Sequence, residues 1–421
     1  MTKKIAIACQ GGGSHTAFTA GALKRILKEP EKQYEIAALS GTSGGAICAL
    51  LAWYGILKDG GENGDTAIKM LDSFWKDMSA STFGDMLLNE WIVQSACLQD
   101  RIAMPQTSPY SYPAFGQYYM RTLLEKQVEF NKIKTITDPK VDLLIGAVDV
   151  VSGDFCVFKN DKVSADVILA SAAIPTFFRA VKLNKYLFSW NRIPGNDSEN
   201  KELIEILRNE YNIEWIESGT PTIEKGDDNI VRIYDKTNSI SIELNDKKTI
   251  AYLKINTNET NELIVKAEKN DLNIYYGSNY WDGLFSQNPP IRDLINENID
   301  ELWVIQINPR SINKLPESVS DITDRRNELA GNLSLYQELY FIEKINHWID
   351  KGYFREPGSN KSIYRHIDVR IIKNLLLLGC ETKLDRSPEF IKKLMDHGEE
   401  QADEFLKVLP AQTEQLRNIV Y

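Results

Sequence analysis

Two glycine clusters near the start of the chain have the residue types and spacing for chemistry. The first is Gly11-Gly12-Gly13 within "IACQGGGSHTAFTAGAL" (Ile7–Leu23), and the second is Gly41-Thr42-Ser43-Gly44-Gly45 within "SGTSGG". Clustered glycines let a backbone approach a bound group closely. Three chemistries begin with such a loop. A phosphate loop requires Lys-Ser/Thr after its last glycine, whereas Gly13 is followed by Ser14-His15-Thr16. A dinucleotide loop requires glycine at its first, third and sixth positions. Gly11 and Gly13 fit that pattern, but the sixth position is Thr16. An oxyanion hole needs only backbone N–H groups aimed at one point, which Gly11, Gly12 and Gly13 can supply without side-chain obstruction. Such a hole calls for a nucleophile, and the second cluster is a GxSxG pattern centred on Ser43. Its small neighbours permit the strained strand-to-helix turn that presents a serine Oγ.

A serine nucleophile needs a base. The chain has four histidines, His15, His347, His366 and His397. The last three lie in charged or helical surroundings, so a Ser-His-Asp triad is poorly supplied. His15 directly follows the glycine loop. A carboxylate is the other option, and "SNYWDGLFSQNPPI" (Ser278–Ile291) offers Asp282-Gly283 between aromatics and a proline-rich loop. Most Asp-Gly pairs are simple turns, so this pair alone decides nothing. No CxxC or HxxxH spacing occurs, and neither a metal nor another cofactor is expected.

The elements that must hold these residues follow an α/β rhythm. Lys3–Cys9 reads as a buried strand and Thr16–Leu27 as a helix. Ile36–Leu39 reads as a second strand, followed by the serine turn and an apolar helix over Ala46–Leu57. Strand, glycine turn and helix repeated in this order predict a parallel sheet. Val141–Val151 and Leu302–Pro309 read as further buried strands. Between the early helices and Val141, "QTSPYSYPAFGQYYM" (Gln106–Met120) reads as a loop or cap, either plain surface packing or a wall over an apolar pocket. Residues 191–270 change in composition. "ENKELIEILRNEYNIEWI" suggests a helix and then a strand, and the segment after it alternates apolar and polar residues between turns. We read this stretch as an inserted α+β subdomain, mostly an antiparallel meander with one solvated face. From residue 318 to 421 the chain reads as mostly helical, with Ser387-Pro388-Glu389 opening the last long helix.

Bulk properties narrow the function classes. The 421 residues suit one large α/β domain with insertions, or two domains, and 43% hydrophobic residues allow a sizeable core. The net charge of −10 and the lack of a Lys/Arg block argue against nucleic acid and against strong attachment to anionic lipid. Cys9, Cys48, Cys97, Cys156 and Cys380 are scattered and odd in number, which suits a reducing compartment. "MTKKIAIACQGGG" lacks the pattern of a signal peptide, and no stretch has the length of a membrane span. The expectation is a cytoplasmic protein, in contact with membranes at most peripherally.

Four ordered motifs together resemble the patatin-like phospholipase family. "GGGSHTAFTAGAL" is similar to its glycine-rich loop and first helix, and "GTSGG" to its nucleophile elbow. "SAAIPTFF" (Ser171–Phe178) is similar to its Ser-x-Ala-x-Pro segment, and "DGLFSQNPP" (Asp282–Pro290) to its Asp-Gly-Gly segment. The resemblance implies a three-layer α/β/α sandwich and a Ser-Asp dyad with Ser43 as nucleophile and Asp282 as general base. It also implies an oxyanion hole at Gly11, Gly12 and Gly13, no cofactor, and hydrolysis of fatty-acyl esters in membrane phospholipid or another acyl-lipid. Three positions depart from the pattern: His15 and Thr16 stand where the family has Arg or Lys and then Gly, and Leu284 replaces a second glycine. A cation at position 15 is the family's habit, so His15→Arg is expected to keep activity. Acyl transfer to an alcohol, and a non-catalytic lipid-binding role, are the other readings of the same motifs.

Overall fold

Strand β1 (Lys3–Cys9) is apolar on both faces from Ile5 onward, as a parallel strand enclosed between two layers must be. The computed structural model describes residues 2–29, 33–60, 64–87, 89–90, 93, 108–111, 113–136, 139–175, 177–183, 279–355, 362–376 and 378–409. It also describes the backbone of the strands between 187 and 275 named below. The chain divides into two compact units, Met1–Val181 with Tyr280–Tyr421, and Lys182–Asn279.

In the first part of the chain β1 leads to helix α1 (Ala17–Leu27), β2 (Tyr34–Gly41), α2 (Gly44–Lys58) and α3 (Asp65–Met78). Helix α4 (Phe115–Gln127), β3 (Asp142–Asp149), β4 (Phe155–Lys159), α5 (Ala165–Ser171) and β5 (Val181–Lys182) follow. The second unit carries β6 (Leu187–Trp190), β7 (Thr222–Lys225), β8 (Ile230–Tyr234), β9 (Ser239–Leu244), β10 (Ile250–Asn256), β11 (Ala267–Glu268) and β12 (Leu272–Tyr275). The chain then returns through β13 (Asn279–Asp282), β14 (Glu301–Gln306), the long helix α6 (Val319–Asp350), β15 (Asp368–Lys373) and α7 (Pro388–Val408).

The main sheet runs β15-β14-β1-β2-β3-β13-β5, with β4 paired to β3. The pairs β15/β14, β14/β1, β1/β2 and β2/β3 are parallel, and β13 and β4 run antiparallel to β3. Side chains alternate across this sheet. Ala6, Ala8, Ala38, Leu144, Leu302 and Val304 face one way, against Leu335, Leu339 and Ile342 of α6. Trp303 between them faces the other way, 4.7 Å from Tyr34 and 4.9 Å from Phe405 of α7. Lys24 of α1 ties this second layer together by ion pairs to Asp72 of α3 and Glu399 of α7. Helices therefore cover both faces of a mixed sheet, and the fold is an α/β sandwich.

In the second unit β7, β8, β9, β10 and β11 form a sheet of antiparallel neighbours, and β12 pairs with β6. The helix and strand expected at "ENKELIEILRNEYNIEWI" lie outside the described residues. Two details were not expected. Within the region after residue 318, which is mostly helical among the described residues, "DVRIIK" forms β15 and extends the sheet beside β14. Its β-branched run finds a parallel edge to pair with, which local periodicity does not reveal. The aromatic stretch before residue 120 is in part helical, since α4 begins at Phe115 while Phe115 and Tyr118 remain 75% and 73% exposed.

Candidate active site

Strand β2 ends at Gly41 and α2 starts at Gly44, leaving Thr42 and Ser43 to make the turn. Ser43 takes φ 57° and ψ −130°, a region that a residue with a Cβ occupies only when its surroundings compel it. Those surroundings are specific. The Ser43 N–H donates to Ser171 Oγ at 3.0 Å, and the Ser171 hydroxyl donates to Gly146 O at 2.6 Å. The Thr42 hydroxyl donates to Gln287 O at 2.6 Å, and the Thr42 N–H to Cys9 O at 3.3 Å. The serine of the "SAAIPTFF" segment thus holds the elbow from below, joining α5, β3 and the turn.

Asp282 ends β13, opposite Ala147 of β3. Gly41 of β2 pairs with Ile145 of the same strand, so Ser43, two residues beyond Gly41, comes to the same end of β3. Asp282 is completely buried. Its N–H donates to Ala173 O at 3.0 Å, and its Oδ1 accepts the Leu284 N–H at 2.8 Å. Burial pushes the carboxyl up to about 7, opposed by the Leu284 N–H and by the Ser43 hydroxyl. The hydroxyl is near enough to act on the carboxyl, yet Oδ2 is buried without a hydrogen bond of ordinary length and angle. We read the pair as close but not bonded, a looseness common where catalytic contacts tighten only with substrate present.

The glycine loop leaves β1 and packs on the elbow. A Cβ built on Gly11 would stand 2.7 Å from Ser43 Cβ, so only glycine allows this approach. The Gly11 N–H donates to Asn288 Oδ1 at 2.7 Å, and Gly11 O accepts from Asn308 Nδ2 at 3.2 Å. Gln10, buried just before the glycines, accepts the N–H groups of Ile307 and Asn308 at 2.9 and 2.8 Å. Its amide donates to Asn332 Oδ1 of α6 at 2.9 Å. Among the described residues the Gly12 and Gly13 N–H groups donate to no protein acceptor, and Gly13 has φ +59°. The expected trio of donors is therefore reduced: the Gly11 N–H is already spoken for by Asn288. The sequence reading missed the supporting roles of Gln10, Asn288, Asn308 and Asn332. One signal was present in the polar Gln10 that interrupts an otherwise apolar run at the end of β1.

His15 hydrogen-bonds to Thr382, not to Ser43 or Asp282. It is 4% exposed and its Nε2 is 2.7 Å from Thr382 Oγ1. The Thr382 hydroxyl donates to Gly379 O at 2.6 Å, so it accepts from His15, which fixes the proton on Nε2. Burial, and secondarily the charge of Lys383, lower the His15 pKa to about 3. The ring is neutral and acts as a tie between the glycine loop and the segment before α7. The expectation that Arg would serve here is reversed, since a cation would be buried beside Lys383. His366 faces Asp350 and Asp368 at 3.8 and 3.5 Å, and His397 faces Glu400 at 3.7 Å. Neither lies in the site. Among the described residues no group of three His, Cys, Asp or Glu side chains could hold a metal ion, and no helix is long and apolar enough to cross a membrane.

Residues 7–190 match the family described as Patatin-like phospholipase. No curated protein matches the chain in sequence. Among solved structures, VipD from Legionella pneumophila is similar with a TM-score of 0.33 and 11% identity, over 96% of this chain and 67% of that one. Human GIVD cytosolic phospholipase A2 is similar with a TM-score of 0.43 and 9% identity, over 97% of this chain and 60% of that one.

Proposed function

We propose, with residues 7–190 as the patatin-like phospholipase domain they match, that the protein is a serine-dependent lipid acyl hydrolase of the phospholipase A or lysophospholipase type. The observation that carries this reading is Ser43, held at positive φ on a strand–turn–helix elbow beside the wholly buried Asp282. In the proposed reaction Ser43 Oγ attacks the acyl carbonyl carbon while its proton passes to Asp282 Oδ2. The carbonyl oxygen takes the negative charge of the tetrahedral intermediate, and the N–H groups of Gly12 and Gly13 face it. The intermediate collapses, the ester C–O bond breaks, and Asp282 returns the proton to the leaving alcohol oxygen. Water then attacks the acyl-Ser43 carbonyl with Asp282 again as base, releasing a fatty acid and restoring the serine.

A carboxyl whose pKa lies near 7 suits this double role, because it can accept and return a proton at neutral pH. Peripheral contact with a lipid surface belongs to the same reading. Phe177 lies four residues after Ala173, which holds the Asp282 N–H, and Phe285 lies three after Asp282 itself. These two phenylalanines are 49% and 40% exposed. The experiment that tests the nucleophile is labelling by a fluorophosphonate, with turnover of a lipid panel alongside. Wild type should be labelled and active. Ser43→Ala should be unlabelled, with turnover down by several orders of magnitude. Equal labelling of both proteins would exclude Ser43.

A further inference from the structure

The long helix α6 turns one stripe toward the loop that follows Asp282. Gly331, Ser334 and Glu338 follow one another at spacings of three and four residues, which places them on one face of the helix. A Cβ on Gly331 would stand 2.5 Å from Leu284 Cδ1 and 2.7 Å from Asn288 Nδ2, so the loop lies directly on the helix there. Ser334 Oγ accepts the Asn288 N–H at 3.3 Å. Glu338 is half-buried, and its carboxylate accepts N–H groups from the same loop. Gln287 Nε2 donates to Oε1 at 2.8 Å, and the backbone N–H groups of Ile291 and Arg292 both donate to Oε2 at 3.1 Å.

Packing does not account for this carboxylate. Leu335, Leu339 and Ile342 already seat α6 on the sheet, and drawing a carboxylate out of water is costly. Burial pushes the Glu338 carboxyl above its ordinary pKa, and the N–H donors of Gln287, Ile291 and Arg292 oppose that. What the side chain supplies is geometry. Its partners bracket the loop, Gln287 at one end and Ile291-Arg292 at the other. Gln287 then carries the constraint inward. It is 2% exposed, and its carbonyl accepts the Thr42 hydroxyl at 2.6 Å. Thr42 directly precedes Ser43. A carboxylate on α6 is therefore joined to the serine elbow through the side chain and the carbonyl of one residue.

We infer that Glu338 is a positioning residue for the reaction at Ser43, acting through Gln287 and Thr42. The inference rests on the proposed hydrolase activity for the reaction it serves. By holding the loop from Gln287 to Arg292 against α6, Glu338 fixes the Gln287 carbonyl, and that carbonyl sets Thr42 and the turn that presents the serine. Without the carboxylate, Gln287 withdraws and Thr42 loses its acceptor. Ser43 then meets the acyl carbon over a wider spread of angles, which lowers the rate of attack and leaves substrate binding unchanged.

The test uses the full chain, with kcat and KM on a soluble short-chain ester and thermal unfolding of each variant. Glu338→Leu should lower kcat about tenfold, the scale of one hydrogen bond to a charged group, with KM within about twofold of wild type. Glu338→Gln should recover most of that rate. Its Oε1 can accept the two backbone N–H groups, and its Nε2 can donate to Gln287 Oε1, which is buried without a partner, once the Gln287 amide turns over. Glu338→Asp keeps the charge but shortens the reach, so it should show a smaller loss and stands in where Glu338→Leu does not fold. Asn346→Leu is the control, because Asn346 ties the same helix to the backbone of Ile367. It should lower Tm and leave kcat unchanged. Thr42→Val cuts the other end of the relay, so its loss and that of Glu338→Leu should not add. A folded Glu338→Leu with the kcat of wild type would overturn the inference. So would a change in KM alone, an equal loss of kcat in Asn346→Leu, a Glu338→Gln as slow as Glu338→Leu, or losses that add with Thr42→Val. Failure of the hydrolase reading shows separately. No protein would then turn over the ester, while amide exchange across Ser40–Ala46 would still quicken in Glu338→Leu and not in Asn346→Leu.

Discussion

Replacing Asn288 by Ala probes the proposed oxyanion loop without touching Ser43 or Asp282. Asn288 is 1% exposed and accepts the Gly11 N–H at 2.7 Å, while its own Nδ2 is buried without a partner. Truncation therefore removes one hydrogen bond and leaves one buried backbone donor unpaired. Such an orphan costs about 1–3 kcal/mol. The loop can lower that cost by turning Gly11 toward another acceptor, which displaces Gly12 and Gly13 from where the oxyanion forms. If the whole cost falls on the transition state, kcat drops roughly 5- to 150-fold, at 1.36 kcal/mol for each tenfold. The loop meets the carbonyl oxygen chiefly once it carries charge, so KM should change little. The assay is kcat and KM on a soluble short-chain ester, with thermal unfolding to establish that the variant is folded. Asn288→Asp sharpens the test. It keeps an acceptor for Gly11 but sets a carboxyl beside a developing anion, so its rate should fall further as pH rises. A folded Asn288→Ala with kcat within about twofold of wild type would refute the reasoning, because the Gly11 bond would then have no bearing on the reaction.

Asp282 gives two pH signatures. As the proposed base it must be deprotonated, so turnover should rise as pH passes through about 7, and Asp282→Asn should lose this rise together with about 10²–10⁴-fold in rate. Its folded pKa is raised, so the unfolded chain releases the proton first as pH increases. Wild type should therefore lose stability between about pH 4, near the ordinary aspartate value, and about pH 7. The Tm advantage of Asp282→Asn should grow over that interval and then level off, and an advantage that shrinks would contradict the burial argument. For His15, Arg adds a buried cation beside Lys383, whose carboxylate partners Asp324 and Glu328 are already engaged. Thermal unfolding should show His15→Arg destabilised by about 3 kcal/mol or more, whereas His15→Gln, which can still donate to Thr382, should stay near wild type. An unchanged Tm for His15→Arg would exclude the neutral-tie role.

Some of this protein is written locally and some is not. Gly11, Gly13, Ser43 and Gly44 were legible from the sequence because the glycine clusters and the GxSxG pattern are themselves short local signals, although the approach that requires Gly11 is to Ser43, far along the chain. Positive φ and a strand–turn–helix transition are each decided within a few residues, as were the strands and helices around them. The start of α7 at Pro388 was legible for the same reason, since a helix terminus has its own local chemistry. Asp282 stood out only through the family resemblance, because an Asp-Gly pair looks like any turn until β13 is laid against β3. Tertiary structure alone decided that the Gly11 N–H belongs to a side chain 277 positions away and the Ser43 N–H to one 128 positions away. It alone made His15 a neutral tie to Thr382, 367 positions on, where sequence habit suggested a cation. It also turned "DVRIIK" into an edge strand. Hydrogen bonds and burial between such distant segments leave no periodicity in the chain. They follow from the order in which the sheet assembles its strands, and that order sets which amide or carboxyl ends up dry.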